Sequence, residues 1–197
     1  ASFEAAMAGN DPGTFDLLWY EPGKAGAVAA MNRDFIFRGV GVATFRSAWN
    51  DPNAVFVGFK GGSNKAHHGH LDLGTFVLDA QGQRWASDLG SDSYNLHDYF
   101  GAKRWTYYRC STPGPNTIVI DGRNQDNDAA APIVAFESGK NDSHAVIDMT
   151  RAYQPGAKQV SRGIALLNRR SVLVQDEISL LHYEHLTWSM HTRATVS

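Results

Sequence analysis

The sequence predicts a mainly β protein, built as an antiparallel sandwich or barrel. Three observations point there. From Asp34 onward the apolar residues recur at every second position. Short segments of this kind are separated by clusters of Asn, Asp, Gly and Pro, the residues that favour turns. No helix-length pattern interrupts them, which argues against a parallel doubly wound sheet.

The elements follow in chain order. Ala1 to Trp19 has helical spacing: Phe3, Ala6 and Met7, then Phe15, Leu18 and Trp19. Gly9 ends a first helix. Asp11-Pro12 supplies an N-cap and first-turn proline for a second, running to about Tyr20, where Glu21-Pro22-Gly23 stops it. The Ala/Gly-rich segment 21–33 reads as a loop. Two helical pieces cannot form a domain alone, so they are expected to end a larger unit or to cap the sheet. The segments 34–49, 54–62, 74–80, 83–90, 116–122, 132–139, 144–150, 160–168, 171–179 and 185–193 then read as strands. Turn signals at 50–53, 79–82, 121–124 and 168–170 separate them.

Composition narrows the function. The chain has 197 residues, 43% of them hydrophobic, enough for one core with a small appendage. Its 18 basic and 20 acidic residues leave a formal charge of −2, which argues against nucleic-acid binding through a general positive field. No apolar run approaches a membrane span. The single cysteine, Cys110, has no internal disulfide partner. The start at Ala1 and the strand-like end LTWSMHTRATVS suggest a mature product or an excised piece.

Chemistry concentrates in FKGGSNKAHHGHLDLGTFVLDAQGQRWASDLG, residues 59–90. His67, His68 and His70 follow a Gly-rich turn. Asp72 comes next, and Asp88 closes the following hairpin. Imidazoles and carboxylates bind zinc and also move protons near neutral pH. In a strand, His68 and His70 would share one face and His67 the other. His70 and Asp88 could converge through the turn at Gln81-Gly82, with no obvious third ligand: His97 reads as a loop residue, and His144 and His191 are remote in sequence. A solvated loop is the plain alternative for any single histidine, and a turn-capping carboxylate is that for Asp88. Residues 88–114 gather Tyr94, Tyr99, Tyr107, Tyr108, Trp105, Arg104 and Arg109. Aromatic faces stack on sugar rings, and guanidinium forks grip carboxylates. The alternative is a loop that packs its aromatics back on the sandwich. Arg169-Arg170 reads as a solvated pair in a hairpin turn. No GxSxG elbow, P-loop or HExxH helix is present.

The strings HHGHLDLGTFVLDAQGQRWASDLG, YF, RWTYYR and STPGPNTIVIDGRNQ together resemble the β-sandwich domain of the heparinase II/III-like polysaccharide lyases, from roughly Phe35 to Arg193. The resemblance implies a supersandwich-like antiparallel fold over 34–197. Residues 1–33 are similar to the last helices and linker of the α/α toroid that precedes the sandwich in that family. It implies β-elimination on a uronic-acid polysaccharide: a base removes the proton beside the sugar carboxylate, the carboxylate is neutralised, and an acid protonates the leaving oxygen. By resemblance His68 and Tyr99 are the catalytic candidates, Asn64, Arg104 and Arg109 the substrate-binding ones, and His70 and Asp88 the ligands of a structural zinc. The family's third zinc ligand is a histidine before Asn-Thr; here Pro115 stands there, so the resemblance implies a weak or lost metal site, or one completed by His97 or water. The main catalytic tyrosine and a further histidine would come from the toroid. An acidic polysaccharide is the implied partner, and a periplasmic or secreted location is implied. Two other classes compete: a non-catalytic carbohydrate-binding sandwich, and a cupin-like metal enzyme built on a strand-borne His-x-His.

Overall fold

The computed structural model describes residues 31–182 and 185–195. The expected helices over Ala1–Tyr20 lie outside the described residues. Thirteen strands are described, all paired antiparallel, and the only helical pieces among the described residues are two single 3-10 turns, Arg104–Thr106 and Thr150–Tyr153. The strands are β1 (Phe35–Phe37), β2 (Val42–Arg46), β3 (Phe56–Lys60), β4 (Gly62–Ser63), β5 (Phe76–Ala80), β6 (Gln83–Ala86), β7 (Ile118–Ile120), β8 (Ala130–Ala131), β9 (Ile133–Ser138), β10 (Ser143–Asp148), β11 (Ala157–Leu167), β12 (Ser171–Leu180) and β13 (Leu186–Trp188). A five-stranded sheet runs β1-β2-β3-β5-β6 and a four-stranded one β12-β11-β10-β9; β7 pairs with β13 and β4 with β8.

The period of two that marks these segments is a burial pattern. Ala43 and Phe45 of β2 and Val57 and Phe59 of β3 point inward, while their neighbours are half-buried. They join Ala145 and Ile147 of β10 and Ile164 and Leu166 of β11 in one core between the two large sheets. Phe45 stacks on Phe136 of β9 across that core, with ring centroids 5.7 Å apart.

The segment expected as one strand over 34–49 is a hairpin. Val40 and Gly41 both donate to the carbonyl of Phe37, at 3.2 and 2.8 Å, and turn the chain back. Gly41 has φ +68°, and a Cβ there would lie 2.4 Å from the Gly62 nitrogen, so glycine is required on both counts. The alternation continues across the turn through Val40 and Val42, which conceals it in the sequence. The expected last strands of 83–90 and 185–193 are shorter, ending at Ala86 and Trp188. The turn at Gln81-Gly82 has both residues at positive φ, 54° and 71°, the two-residue loop whose twist suits a β hairpin.

Two buried ion pairs fasten the layers. Arg162 of β11 has no exposed surface and grips Asp176 of β12 through two bonds of 2.6 and 2.8 Å. Arg169, expected as a solvated turn residue, instead is largely buried. It binds both carboxylate oxygens of Asp34 and the hydroxyl of Ser143, so the β11–β12 turn is tied to the start of β1. A guanidinium fork matches a carboxylate in this way wherever the chain brings them together.

Burial opposes ionisation of Asp34, but hydrogen bonds from Arg169, Ser143 and Ser138 outweigh it and hold the carboxyl below its ordinary value of 3.8. A lowered folded-state value means stabilisation that is complete above 3.8 and lost as the pH falls through the folded value. Asp72, whose burial raises its pKa, acts in the opposite sense. The urea midpoint is therefore expected to fall on acidification below about pH 4. Asp34→Asn should lower it at pH 7 and flatten that part of the profile.

Candidate functional site

The histidine segment lies in a loop. No strand occurs between Ser63 and Phe76, and Asn64 to His68 form successive turns. Ala66 donates to the carbonyl of Ser63 and Gly69 to that of Ala66, at 3.2 and 2.8 Å. His68 has φ 57°, the left-handed region that few non-glycine residues adopt. The expectation that strand geometry sends His68 and His70 to one face is thus corrected, and with it goes the strand-borne pair on which the cupin-like alternative rested. His68 is exposed and His70 half-buried.

The His68 ring stacks near Tyr94, with centroids 6.2 Å apart and planes 17° apart, and meets Phe100 edge-on at 5.8 Å. Tyr99, expected beside it, is only 2% exposed, and its hydroxyl accepts from the Cys110 thiol at 3.2 Å. Burial and that thiol push the Tyr99 pKa up, so its hydroxyl stays protonated. The tyrosine that presents itself to solvent next to His68 is Tyr94, 53% exposed. An alternating aromatic sequence cannot distinguish the two without knowing which way the loop turns.

The expected substrate-binding side chains hold the loop in place. Arg104 is buried and donates to the carbonyls of Gly69 at 2.8 Å and Tyr99 at 3.4 Å, its guanidinium packed 5.0 to 5.6 Å from the rings of Tyr99, Trp105 and Phe100. Arg109 pairs with Asp92 at 3.3 Å and donates to the carbonyls of Leu89 and Ser91. Asn64 is buried and donates to the Asp126 carbonyl at 2.8 Å, while its Oδ1 has no partner among the described residues. Asn64, His68, Arg104 and Trp105 nevertheless line one cleft of about 540 Å³, a size that accommodates a small ligand.

Asp88 lines a different cleft, of about 820 Å³, with Arg46 and Trp49. Its Oδ1 accepts from the Gly90 amide at 2.6 Å, a turn-capping bond. His70 does feel the Asp88 charge, but burial dominates and pushes its imidazole below the ordinary value of 6.5, leaving the ring mostly neutral at pH 7. Pro115 is buried and offers no donor atom. Among the described residues no three His, Cys, Asp or Glu side chains come together as a metal shell. The described donor set does not make a complete zinc site.

One residue that sequence distance disguised is His191. Its carbonyl accepts from Ser87 at 2.8 Å, beside Asp88, and its amide donates to Asn116 Oδ1 at 2.6 Å. Nδ1 lies 3.2 Å from the same Oδ1, which can only accept, so Nδ1 carries a proton. In the neutral ring Nε2 then accepts from the Tyr108 hydroxyl at 3.0 Å. The buried Asn116 is the signal that could have found it, because it also donates to the carbonyls of Phe76 and Ser87 and gathers this end of the sandwich.

Comparison with known proteins accords with this architecture. Residues 32–197 match the Heparinase II/III-like, C-terminal family, and the chain belongs to that family. The fold is similar to that of heparan sulfate lyase HepC from Pedobacter heparinus, with a TM-score of 0.72 and 22% identity over 96% of this chain and 28% of that one. It is also similar to the heparinase III BT4657 gene product, with a TM-score of 0.73 and 20% identity over 89% and 26%. A further heparinase III structure gives a TM-score of 0.63 and 21% identity over 76% and 23%. The chain therefore spans less than a third of each of these structures. No curated protein matches it.

The two arginines should respond differently to substitution. Arg104→Ala strips bonds from the buried loop and is expected to cost about 2 kcal/mol in urea unfolding. Arg109→Ala should cost less than about 1 kcal/mol, because its pair with Asp92 is solvent-screened.

Proposed function

We propose that this chain is the sandwich part of a lyase that cleaves an acidic, uronate-containing polysaccharide by β-elimination. The observation that carries this is His68: an exposed imidazole, held by a rigid turn, at the wall of a cleft with Asn64, Arg104 and Trp105. The family membership and the printed descriptions of the structural neighbours as heparan sulfate lyases support the reading.

In this reading His68 either transfers a proton at the reacting centre or hydrogen-bonds the sugar carboxylate. Neutralising that carboxylate makes the adjacent carbon acid enough to lose its proton. Tyr94 offers a face for the sugar ring. Tyr99 supports from below, as a buried positioning residue, in place of the catalytic role expected for it. Arg104 keeps the His68 turn in register through Gly69 and contributes its charge to the cleft. The remaining acid–base group comes from outside the described residues. Zinc, if bound through His70 and Asp88, binds weakly without a third protein ligand.

The complete protein is expected to form an unsaturated uronate product, followed by its ultraviolet absorbance. Absence of that product from a panel of uronate polysaccharides, with sugar binding retained, would favour a carbohydrate-binding sandwich instead. His68→Ala should lower turnover by about a hundredfold or more, the usual scale for losing a proton-transfer group. Unchanged turnover would rule out the assignment. Separately, Pro115→His should strengthen zinc retention, read by metal analysis after dialysis. No gain would mean that position 115 does not face His70 and Asp88.

A further inference from the structure

A third cleft, of about 780 Å³, adjoins the histidine loop. Arg38, Lys60, Lys65 and Arg151 line it, and no Asp or Glu does. Lys60 is paired with Asp72 and Lys65 with Asp128. Arg38, on the β1–β2 turn, and Arg151, on the 3-10 turn after β10, are exposed and form no ion pair among the described residues. The rest of the lining is largely apolar and small, including Val40, Ala131 and Pro132. Lys65 and Ala66 line both this cleft and the one that holds His68, so the two are adjacent.

A lining of one sign, with two guanidiniums that have no carboxylate partner among the described residues, fits an anionic ligand. The apolar lining suits the faces of sugar rings, and adjacency to the His68 cleft suits a chain long enough to reach both. We propose that this basic cleft is a distal subsite, in which Arg38 and Arg151 grip carboxylate or sulfate groups of sugar units beyond those held at His68. The inference rests on the reading of the substrate as an acidic polysaccharide and adds how the protein holds a long chain. Lys65, paired with Asp128, stands between the two clefts.

The test is calorimetric titration of this chain with a heparin-derived octasaccharide, a neutral cello-oligosaccharide of equal length, and a single-stranded oligonucleotide of equal charge. The octasaccharide should bind best, with an affinity that falls as salt rises. Arg38→Gln/Arg151→Gln should weaken it about tenfold, as expected for losing two exposed charge-assisted contacts, and Arg38→Lys/Arg151→Lys should restore most of the loss. Both side chains are exposed, so circular dichroism of the variants should match the parent. Equal affinity of parent and Gln variant would overturn the proposal, as would no octasaccharide binding by the parent or tighter binding of the oligonucleotide. Elimination by the complete protein is scored separately. Octasaccharide binding that depends on Arg38 and Arg151 without elimination would leave the subsite standing and remove the lyase reading; elimination without such binding would do the reverse.

Discussion

Arg162 is the point from which the rest of the sandwich is hung. Its guanidinium is fully buried, and a buried charge is tolerated only when its donors are met. Four bonds engage all three of its nitrogens: two to Asp176, one to the Gly74 carbonyl and one to that of Asn116, all between 2.6 and 2.9 Å. Those partners lie on β12, on the approach to β5 and on the approach to β7. A single side chain therefore fixes the four-stranded sheet against two loops that have no ladder of their own. Gly74 must be glycine for this to happen. It has φ +87°, and a Cβ there would lie 2.4 Å from the Met149 sulfur.

The same knot reaches the histidine loop. Gln125 accepts from the Leu73 amide and donates to the Leu73 carbonyl, and the Thr117 hydroxyl donates to that carbonyl too. Gln125 also donates to Tyr153, whose hydroxyl donates to the Ile118 carbonyl and whose pKa burial pushes up to about 12. A neutral polar network of this kind is costly to break in part, because each freed group would be buried without water. The segment from Asn64 to Leu73 is thus anchored at its far end by the core and at its near end by the β4–β8 pair. Between the anchors, Arg104 braces Gly69. An exposed imidazole on a loop so held loses little freedom when it meets a ligand.

The sequence makes the sandwich readable and the site only half readable, for one physical reason. Strands write their burial into a local alternation, so β2, β3, β5 and β9 to β12 stand out from the residue pattern alone. Loop residues take their roles from partners far away in the chain. Arg169 looks like a solvated turn until Asp34 is seen 135 positions away, and His191 looks remote until Asn116 is. Tyr94 and Tyr99 differ by five positions and have opposite exposure, which no periodicity encodes. The two-residue strands β4 and β8 are too short to leave a pattern. What the local residues do announce is chemical type: the histidines, arginines and aromatics of 64–109 cluster in the sequence, and several of them brace the loop.

Cys110 gives the molecule an internal reporter. The chain's single thiol has no exposed surface and donates to the Tyr99 hydroxyl at 3.2 Å, while the Cys110 carbonyl accepts from the Leu71 amide at 3.0 Å. A thiol in that position reacts with an alkylating reagent only when the aromatic loop lifts away. Where reclosing outpaces labelling, the labelling rate measures the free energy of that opening. Saccharide that bridges the loop and the histidine turn would slow the rate in proportion to its hold on the closed form. The architecture thereby links occupancy of a surface cleft to the chemical privacy of one buried sulfur.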